Sequence, residues 1–276
     1  MKQKVVLVTG MHRSGTSVMA QWLHRCGLHM GDRLVGAGIG NEDGHFEDED
    51  FLHLHEDLLR NHNLPATGFT DNAIMPLTES DTAQLAGVVY NKCRQYNQWG
   101  WKEPRTCLFL NAYAKLLPQA FYFVVVRNYN DTINSLITRE YKIQEEKINN
   151  KKGIHKLKWN WLKRKSMQQM LQLHAENFLR VWINYYEHTL THIVFVPPER
   201  VLVISCPQLL HRDKAIFSKL TQGWGLQLDY TAFAAIFKQQ YISDPHTIDA
   251  YVKDKTLLSK ARAIEEKLLL KYGVSL

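Results

Sequence analysis

The sequence contains no long apolar segment. A helix that spans a bilayer needs about 20 consecutive apolar residues, and no stretch of the 276 residues approaches that length. The apolar run at residues 5–8 is too short for the core of a signal peptide, and it ends at Thr9 and Gly10. We therefore expect no integral membrane segment and a cytoplasmic location.

Cysteine is scarce and scattered. The sequence contains no CxxC pair, and its four cysteines are Cys26, Cys93, Cys107 and Cys206. This pattern predicts buried, reduced thiols. A catalytic cysteine would need an activating group nearby, and the sequence shows none.

The net charge of +7 is concentrated in one segment. Residues 142–165 contain eight lysines and one arginine against Glu145 and Glu146, which gives this segment alone a charge of +7. Residues 42–57, by contrast, contain eight acids and no lysine or arginine. The sequence therefore predicts a basic face that is local to one part of the molecule.

Strands and helices alternate along the chain. Near-continuous apolar runs at residues 4–9, 120–126 and 201–204 predict buried strands. Helical spacing predicts helices between and after them, and Thr78 and Asp81 open one of these at residues 78–96. The order favours an α/β fold, with three layers and a central parallel sheet of about five strands flanked by helices. We expect one domain over residues 1–276.

The loop after the first strand has the features of a phosphate-binding loop. Its sequence, GMHRSGTS at residues 10–17, follows a buried strand and opens a helix, so glycines and free backbone N–H groups can approach an anion. The spacing fits the Walker pattern GxxxxGK[ST], but Thr16 replaces the lysine that serves the β/γ-phosphates of nucleoside triphosphates. This replacement argues against ATP or GTP hydrolysis, and Arg13 can supply the missing positive charge.

A second candidate anion site follows the strand at residues 120–126. Arg127 emerges at the carboxyl end of that strand, where open α/β sheets bind their ligands. Ser135 lies two turns along the next helix and can approach the same ligand. The alternative is that Arg127 only pairs with an acid at the sheet edge.

These two segments resemble the signatures of sulfotransferases that use PAPS, 3′-phosphoadenosine-5′-phosphosulfate. Arg13 followed by SGTS fits the first signature. The second is a strand followed by RNPxD, with a serine eight residues after the arginine. VVVRNYND at residues 124–131, then Ser135, fits it except that Tyr129 replaces proline. A weaker third match lies at residues 201–228.

The resemblance covers residues 4–230 and is closest to bacterial carbohydrate sulfotransferases and to the tyrosylprotein branch. The glycine- and lysine-containing loop and the catalytic histidine of the cytosolic members are not visible in this sequence. The resemblance implies that the 10–17 loop holds the 5′-phosphosulfate and that Arg13 neutralises the bridging oxygen. It implies that Arg127 and Ser135 hold the 3′-phosphate. The donor-binding residues are then His12, Arg13, Ser14, Gly15, Thr16, Ser17, Arg127 and Ser135.

The resemblance also indicates the groups that act on the acceptor and the leaving group. Lys102, in KEPR, resembles the lysine of KDP in tyrosylprotein sulfotransferases, which assists the leaving group. Arg105 of the same segment holds the 3′-phosphate or braces an acid. Related branches place a glutamate after the phosphate-loop helix, so Glu47 is the predicted base, with Asp48 and His45 as alternatives.

No metal site is predicted. His53 and His55 stand two residues apart on a predicted helix and therefore face different ways. Sulfuryl transfer does not demand a metal, because the transferred group carries little charge.

The basic segment allows several interpretations. Residues 142–166 could form a mobile insertion or lid, a track for an acidic saccharide on which Trp159 and Trp161 stack, or a solvated loop. A nucleic-acid partner is the less favoured use of the same lysines.

Together these features predict transfer of a sulfuryl group from PAPS to a hydroxyl of a carbohydrate or glycoconjugate, with PAP as the product. One alternative is a P-loop kinase that acts on a small molecule. Another is a non-catalytic protein that binds a nucleotide or a polyanion.

Overall fold

A four-stranded parallel sheet organises the chain. The computed structural model describes residues 3–38, 43–72, 76–149, 154–238, 247–271 and 273, without the side chains of 148, 149, 154–166 and 271. The strand order is β2-β1-β3-β4, and every neighbouring pair is parallel. The strands are β1 Lys4–Thr9, β2 Gln98–Lys102, β3 Phe121–Val125 and β4 Val201–Ile204.

The sheet confirms the predicted fold class and adds one strand that the sequence analysis missed. β2 has no run of valines; its sequence, QWGWK, has two tryptophans around Gly100. Gly100 is required there, because a Cβ would lie 2.4 Å from the carbonyl oxygen of Val6 on β1. The described residues contain four strands where about five were expected.

Eight α-helices surround the sheet within the described residues. They are α1 Thr16–Arg25, α2 Glu49–Asn61, α3 Glu79–Gln95, α4 Thr106–Leu116, α5 Tyr129–Asn149, α6 Ile154–Ile193, α7 Cys206–Ser218 and α8 Lys255–Glu266. The predicted start of α3 is confirmed, because Thr78 and Asp81 form a reciprocal capping box. None of the described helices combines the length and the apolar character needed to cross a membrane.

Alternation along the strands divides the core into two layers. On β1, Val5 and Leu7 join one apolar cluster, whereas Val6 and Val8 join the other. β3 and β4 alternate in the same way, as side chains of successive strand residues must. The first cluster includes residues of α2 to α6 and α8, and the second includes residues of α1 and α7. The result is the predicted three-layer arrangement.

The long helix α6 fixes the end of β3. The Tyr186 hydroxyl donates to the Val125 carbonyl oxygen at 2.9 Å, and Trp182 Nε1 donates to the carbonyl oxygen of Arg127 at 3.3 Å. Most of the basic segment lies in two helices, the end of α5 and the start of α6. Residues 150–153 and the side chains of Trp159 and Trp161 fall outside the described part of the chain.

Candidate active site

The 10–17 loop needs glycine at two close approaches. Gly10 has φ 153°, and a Cβ there would lie 2.5 Å from the carbonyl oxygen of Val125. Gly15 has φ 97°, and a Cβ there would lie 2.5 Å from Cys206 Sγ. Any other residue would push the loop away from β3 and α7, so these glycines let the loop fold tightly over the carboxyl end of the sheet.

The start of α1 is arranged to receive an anion. Gly15 precedes the helix without a side-chain cap, and no acid lies in the first turn. The first N–H groups of a helix have no partner within the helix, and the helix dipole adds positive potential to them. Ser14 shapes the loop from inside, since both its hydroxyl and its N–H donate to the carbonyl oxygen of Met11.

Arg13, Arg127 and Ser135 come together although they are far apart in sequence. Arg13 Nε donates to Ser135 Oγ at 3.0 Å, and an Arg127 guanidinium N–H donates to the Arg13 carbonyl oxygen at 3.2 Å. Arg13 itself has φ 67°, a conformation that costs roughly 1 kcal/mol or more outside glycine. Burial, together with the charges of Arg139 and Arg127, lowers the pKa of Arg13 to about 10.

Arg139 is a member of this cluster that the sequence analysis missed. It lies one helical turn after Ser135 on α5, and residues four apart share a helix face. Its Nε is buried and has no hydrogen-bond partner among the described residues. Its charge also lowers the pKa of His12 and of His45. In the sequence, the spacing of four residues between Ser135 and Arg139 is the feature that could have identified it. Three arginines side by side favour an anionic ligand.

Lys102 and Glu47 form a buried ion pair beside the same loop. Lys102 Nζ lies 2.8 Å from Glu47 Oε1 and 3.2 Å from Ser17 Oγ on α1. Lys102 is fully buried and Glu47 is 8% exposed. Burial lowers the pKa of Lys102, and the Glu47 carboxylate opposes that shift. Lys102 is the last residue of β2, so its backbone is held by the sheet.

Backbone hydrogen bonds to Val35 fix the segment around Phe46, which carries Glu47 toward Lys102. The Val35 N–H donates to the Glu47 carbonyl oxygen at 2.8 Å, and the His45 N–H donates to the Val35 carbonyl oxygen at 3.0 Å. Phe46, between the two, has φ 54°. A bulky residue in the left-handed region persists only when its surroundings enforce it, and such residues concentrate at functional sites.

Asp48, an alternative base, has a structural task. Its side chain accepts from the Asp50 N–H as the N-cap of α2 and lies 2.8 Å from Lys92 Nζ. Lys92 also contacts Asp32 at 2.6 Å and Asp50 at 2.8 Å. Lys92 thereby forms ion pairs with three acidic side chains near the site. These contacts fix the start of α2, which lies just after Glu47.

Replacing Lys92 with methionine should destabilise the protein by about 3 kcal/mol, because Asp48 is 1% exposed and would lose its buried counter-charge. The melting temperature should fall by about 5–10 °C. The matched control is Lys115→Met, at an exposed position of α4, which should leave the melting temperature unchanged.

The Lys92→Met deficit should shrink on acidification. Burial raises the pKa of Asp48 above its ordinary value, and loss of Lys92 raises it further, so the variant gains stability as Asp48 is protonated. The hydrogen bond from Lys92 lowers the pKa of Asp50, so the wild type loses that contribution as pH falls. A deficit that stays constant from pH 7 to about 5 would contradict this account.

His12 faces the site with an unsatisfied nitrogen. Its ring packs edge-on against Phe69 at 5.1 Å, and its Nε2 is buried without a hydrogen-bond partner among the described residues. Burial first, and then the charge of Arg105, holds the pKa of His12 well below its usual range, so the imidazole is neutral. The side chain of Arg105 turns to Ala66 and Glu103.

Comparison with known proteins identifies the family. A family model described as "Sulfotransferase family" matches residues 6–231. The chain belongs to the sulfotransferase family. No curated protein sequence matches it.

Solved structures of sulfotransferases resemble the chain. Sulfotransferase STF9 from Mycobacterium avium superposes with a TM-score of 0.60 at 12% identity, covering 100% of this chain and 78% of that chain. The sulfotransferase domain of the Synechococcus PCC 7002 olefin synthase superposes with a TM-score of 0.48 at 16% identity, covering 99% of this chain and 97% of that domain. At 12% identity the likeness to STF9 shows a shared fold.

Proposed function

We propose that the protein transfers a sulfuryl group from PAPS to a hydroxyl of a carbohydrate or glycoconjugate. The observation that carries the proposal is the position of the Lys102–Glu47 pair at the start of α1, beside the arginine cluster. One end of this site offers fixed cations to phosphates, and the other offers a carboxylate and an ammonium group to a reacting centre. A cytoplasmic location stays a prediction of the sequence.

The arginine cluster is the proposed clamp for the two phosphate groups of the donor. Both groups of PAPS are attached to one ribose, so their binding residues must lie close together. Arg127 and Ser135 would hold the 3′-phosphate, and the N–H groups of Gly15, Thr16 and Ser17 would hold the 5′-phosphosulfate. Arg13 contacts both Arg127 and Ser135, and it belongs to the same loop as the N–H groups. We add Arg139 to the clamp, and we assign His12, already one of the predicted donor-binding residues, to the edge of the 5′ side.

Glu47 and Lys102 are the proposed catalytic pair. As the acceptor oxygen attacks sulfur, Glu47 takes the hydroxyl proton and the new S–O bond forms. The bond between sulfur and the bridging oxygen breaks, and its electron pair stays on the 5′-phosphate of PAP. Lys102, with Arg13, stabilises that developing charge. The chemistry needs no redox partner, and we propose that it needs no metal.

The acceptor assignment rests on the basic segment. Its lysines could attract an acidic saccharide, and its tryptophans could stack on sugar rings. A panel of sulfated and uronic-acid saccharides would be tested beside simple alcohols.

PAP should stabilise the protein and ATP with Mg²⁺ should not. At a PAP concentration of about 100 times Kd, the expected stabilisation is about 2.7 kcal/mol, measured as a shift in melting temperature. The N–H groups and arginines suit both phosphates of PAP, whereas Thr16 leaves no lysine for a γ-phosphate.

The same titration separates the alternatives. Stabilisation by ATP–Mg²⁺ and none by PAP would replace the proposal with the small-molecule kinase. Stabilisation by polyanions that persists in Arg13→Ala would replace it with a non-catalytic binding protein. A radiolabelled sulfate transfer assay with PAPS and the saccharide panel then tests turnover.

A further inference from the structure

A chain of buried polar groups begins directly beside Lys102. Glu103 follows Lys102, and its side chain is fully buried. One carboxylate oxygen of Glu103 accepts from the Arg105 guanidinium, and the other lies 2.5 Å from His55 Nδ1. A buried carboxylate without such partners would be strongly unfavourable.

His55 continues this chain into the core. It is fully buried, and its Nε2 lies 2.7 Å from the Tyr113 hydroxyl on α4. Its ring stacks on Phe109 with centroids 5.0 Å apart. Both ring nitrogens are therefore used, which excludes His55 from a metal site with His53, whose side chain is exposed.

Arg105 closes the chain at its other end. Its Nε donates to the Ala66 carbonyl oxygen at 2.7 Å, and its guanidinium lies 3.6 Å from Glu56, the residue after His55. His55 and Glu56 belong to α2, which begins two residues after Glu47. The polar chain therefore ties α2 to the turn that follows Lys102.

We propose that Glu103, held by His55 and Arg105, is a positioning group that fixes Lys102 against Glu47. α2 begins two residues after Glu47, and β2 ends at Lys102, so the relative placement of the two side chains depends on what joins these elements. A fully satisfied buried network rigidifies its surroundings. The inference rests on the proposed function for its catalytic consequence.

The charges of the network also act on Lys102. Burial alone would raise the pKa of Glu103, but the Arg105 charge and the His55 hydrogen bond outweigh it, so Glu103 stays ionised. The Glu103 carboxylate in turn raises the pKa of Lys102 and so supports its charged form. Neutralising Glu103 would lower the pKa of Lys102 further and leave Arg105 without its buried counter-charge.

Glu103→Gln is the test variant, because it keeps the size of the side chain. We expect kcat to fall roughly 10- to 100-fold, as for a misplacement of about 1 Å at a reacting centre. Kd for PAP should stay within about twofold, because the arginine cluster is untouched. The basic limb of the pH profile should move to lower pH. In a crystal structure, the 2.8 Å contact between Lys102 and Glu47 should be lost.

Two further variants keep the test decisive if Glu103→Gln folds poorly. His55→Phe keeps the aromatic packing, leaves Glu103 its Arg105 partner, and should give a smaller loss of kcat in the same direction. Leu58→Ala is the matched control, because Leu58 is a fully buried residue of α2 outside the network. It should lower the melting temperature while kcat stays within about twofold.

Two outcomes would overturn the inference. Variants of Glu103 and His55 that lose stability like Leu58→Ala, with kcat and pH profile unchanged, would show a purely structural role. A retained 2.8 Å contact in Glu103→Gln would do the same. The crystal structure of Glu103→Gln tests the positioning role even if the wild type transfers no sulfuryl group. In that case the proposed function fails, but the distance between Lys102 and Glu47 still shows whether Glu103 positions Lys102.

Discussion

Replacing Glu47 with glutamine should lower kcat for sulfuryl transfer by about 10²- to 10⁴-fold. Glutamine fills the same space and can still accept from Lys102 through its amide oxygen, so the turn at Phe46 and the buried pair should keep their geometry. It cannot take the proton of the acceptor hydroxyl. The measurement is steady-state kcat with PAPS and an active acceptor, accompanied by a PAP titration that should give Kd within about twofold of wild type.

The two readouts together make this prediction specific for a base. A disrupted site would lose PAP binding as well as turnover, whereas loss of the base alone should lower kcat and leave Kd for PAP unchanged. If Glu47→Gln retains turnover, His45→Gln becomes the next test, since His45 lies two residues away in the same turn. Asp48→Asn needs a stability measurement beside it, because Asp48 caps α2 and pairs with Lys92.

The parts of the proposed donor site that follow strands could be predicted from sequence. Short valine-rich runs that end at glycine or arginine identify buried parallel strands and the groups at their carboxyl ends, and both Arg13 and Arg127 were found in this way. The departure at Tyr129 also has a physical account. Its hydroxyl donates to Asp249 at 3.2 Å and accepts from Arg262 at 3.3 Å, so it ties α5 to the C-terminal segments.

The parts that depend on tertiary contacts could not be predicted. β2 was not predicted, because tryptophans around a glycine have no characteristic strand pattern. Its pairing with β1 explains the glycine at position 100. Arg139 lies in a helix of mixed polar residues, so its sequence context does not distinguish it from an arginine that faces solvent. The Glu103 network joins α2, α4 and a turn, so nothing in local sequence indicates that these residues meet.

The clamp itself can be tested without turnover, through Arg127. Arg127→Ala should weaken PAP binding about 100-fold, which corresponds to about 2.7 kcal/mol. The variant removes a planar guanidinium suited to bidentate contact with phosphate and leaves its neighbours in place. At a PAP concentration that stabilises the wild type by about 2.7 kcal/mol, the variant should gain only about 0.4 kcal/mol. Ser135→Ala removes a hydroxyl that accepts from the Arg13 guanidinium, and it should cost about 1.5–3 kcal/mol of PAP binding.

Arg94→Ala is the control for the change in charge. Arg94 is an exposed residue near the end of α3, where it packs on the Tyr90 ring, so its loss lowers the net charge equally without touching the clamp. PAP should stabilise this variant as it does the wild type. Equal losses in both variants would mean that PAP responds only to overall charge. Full stabilisation of Arg127→Ala would remove Arg127 from the donor site and leave the 3′-phosphate to Arg139 and Arg13, because these are the remaining arginines of the cluster.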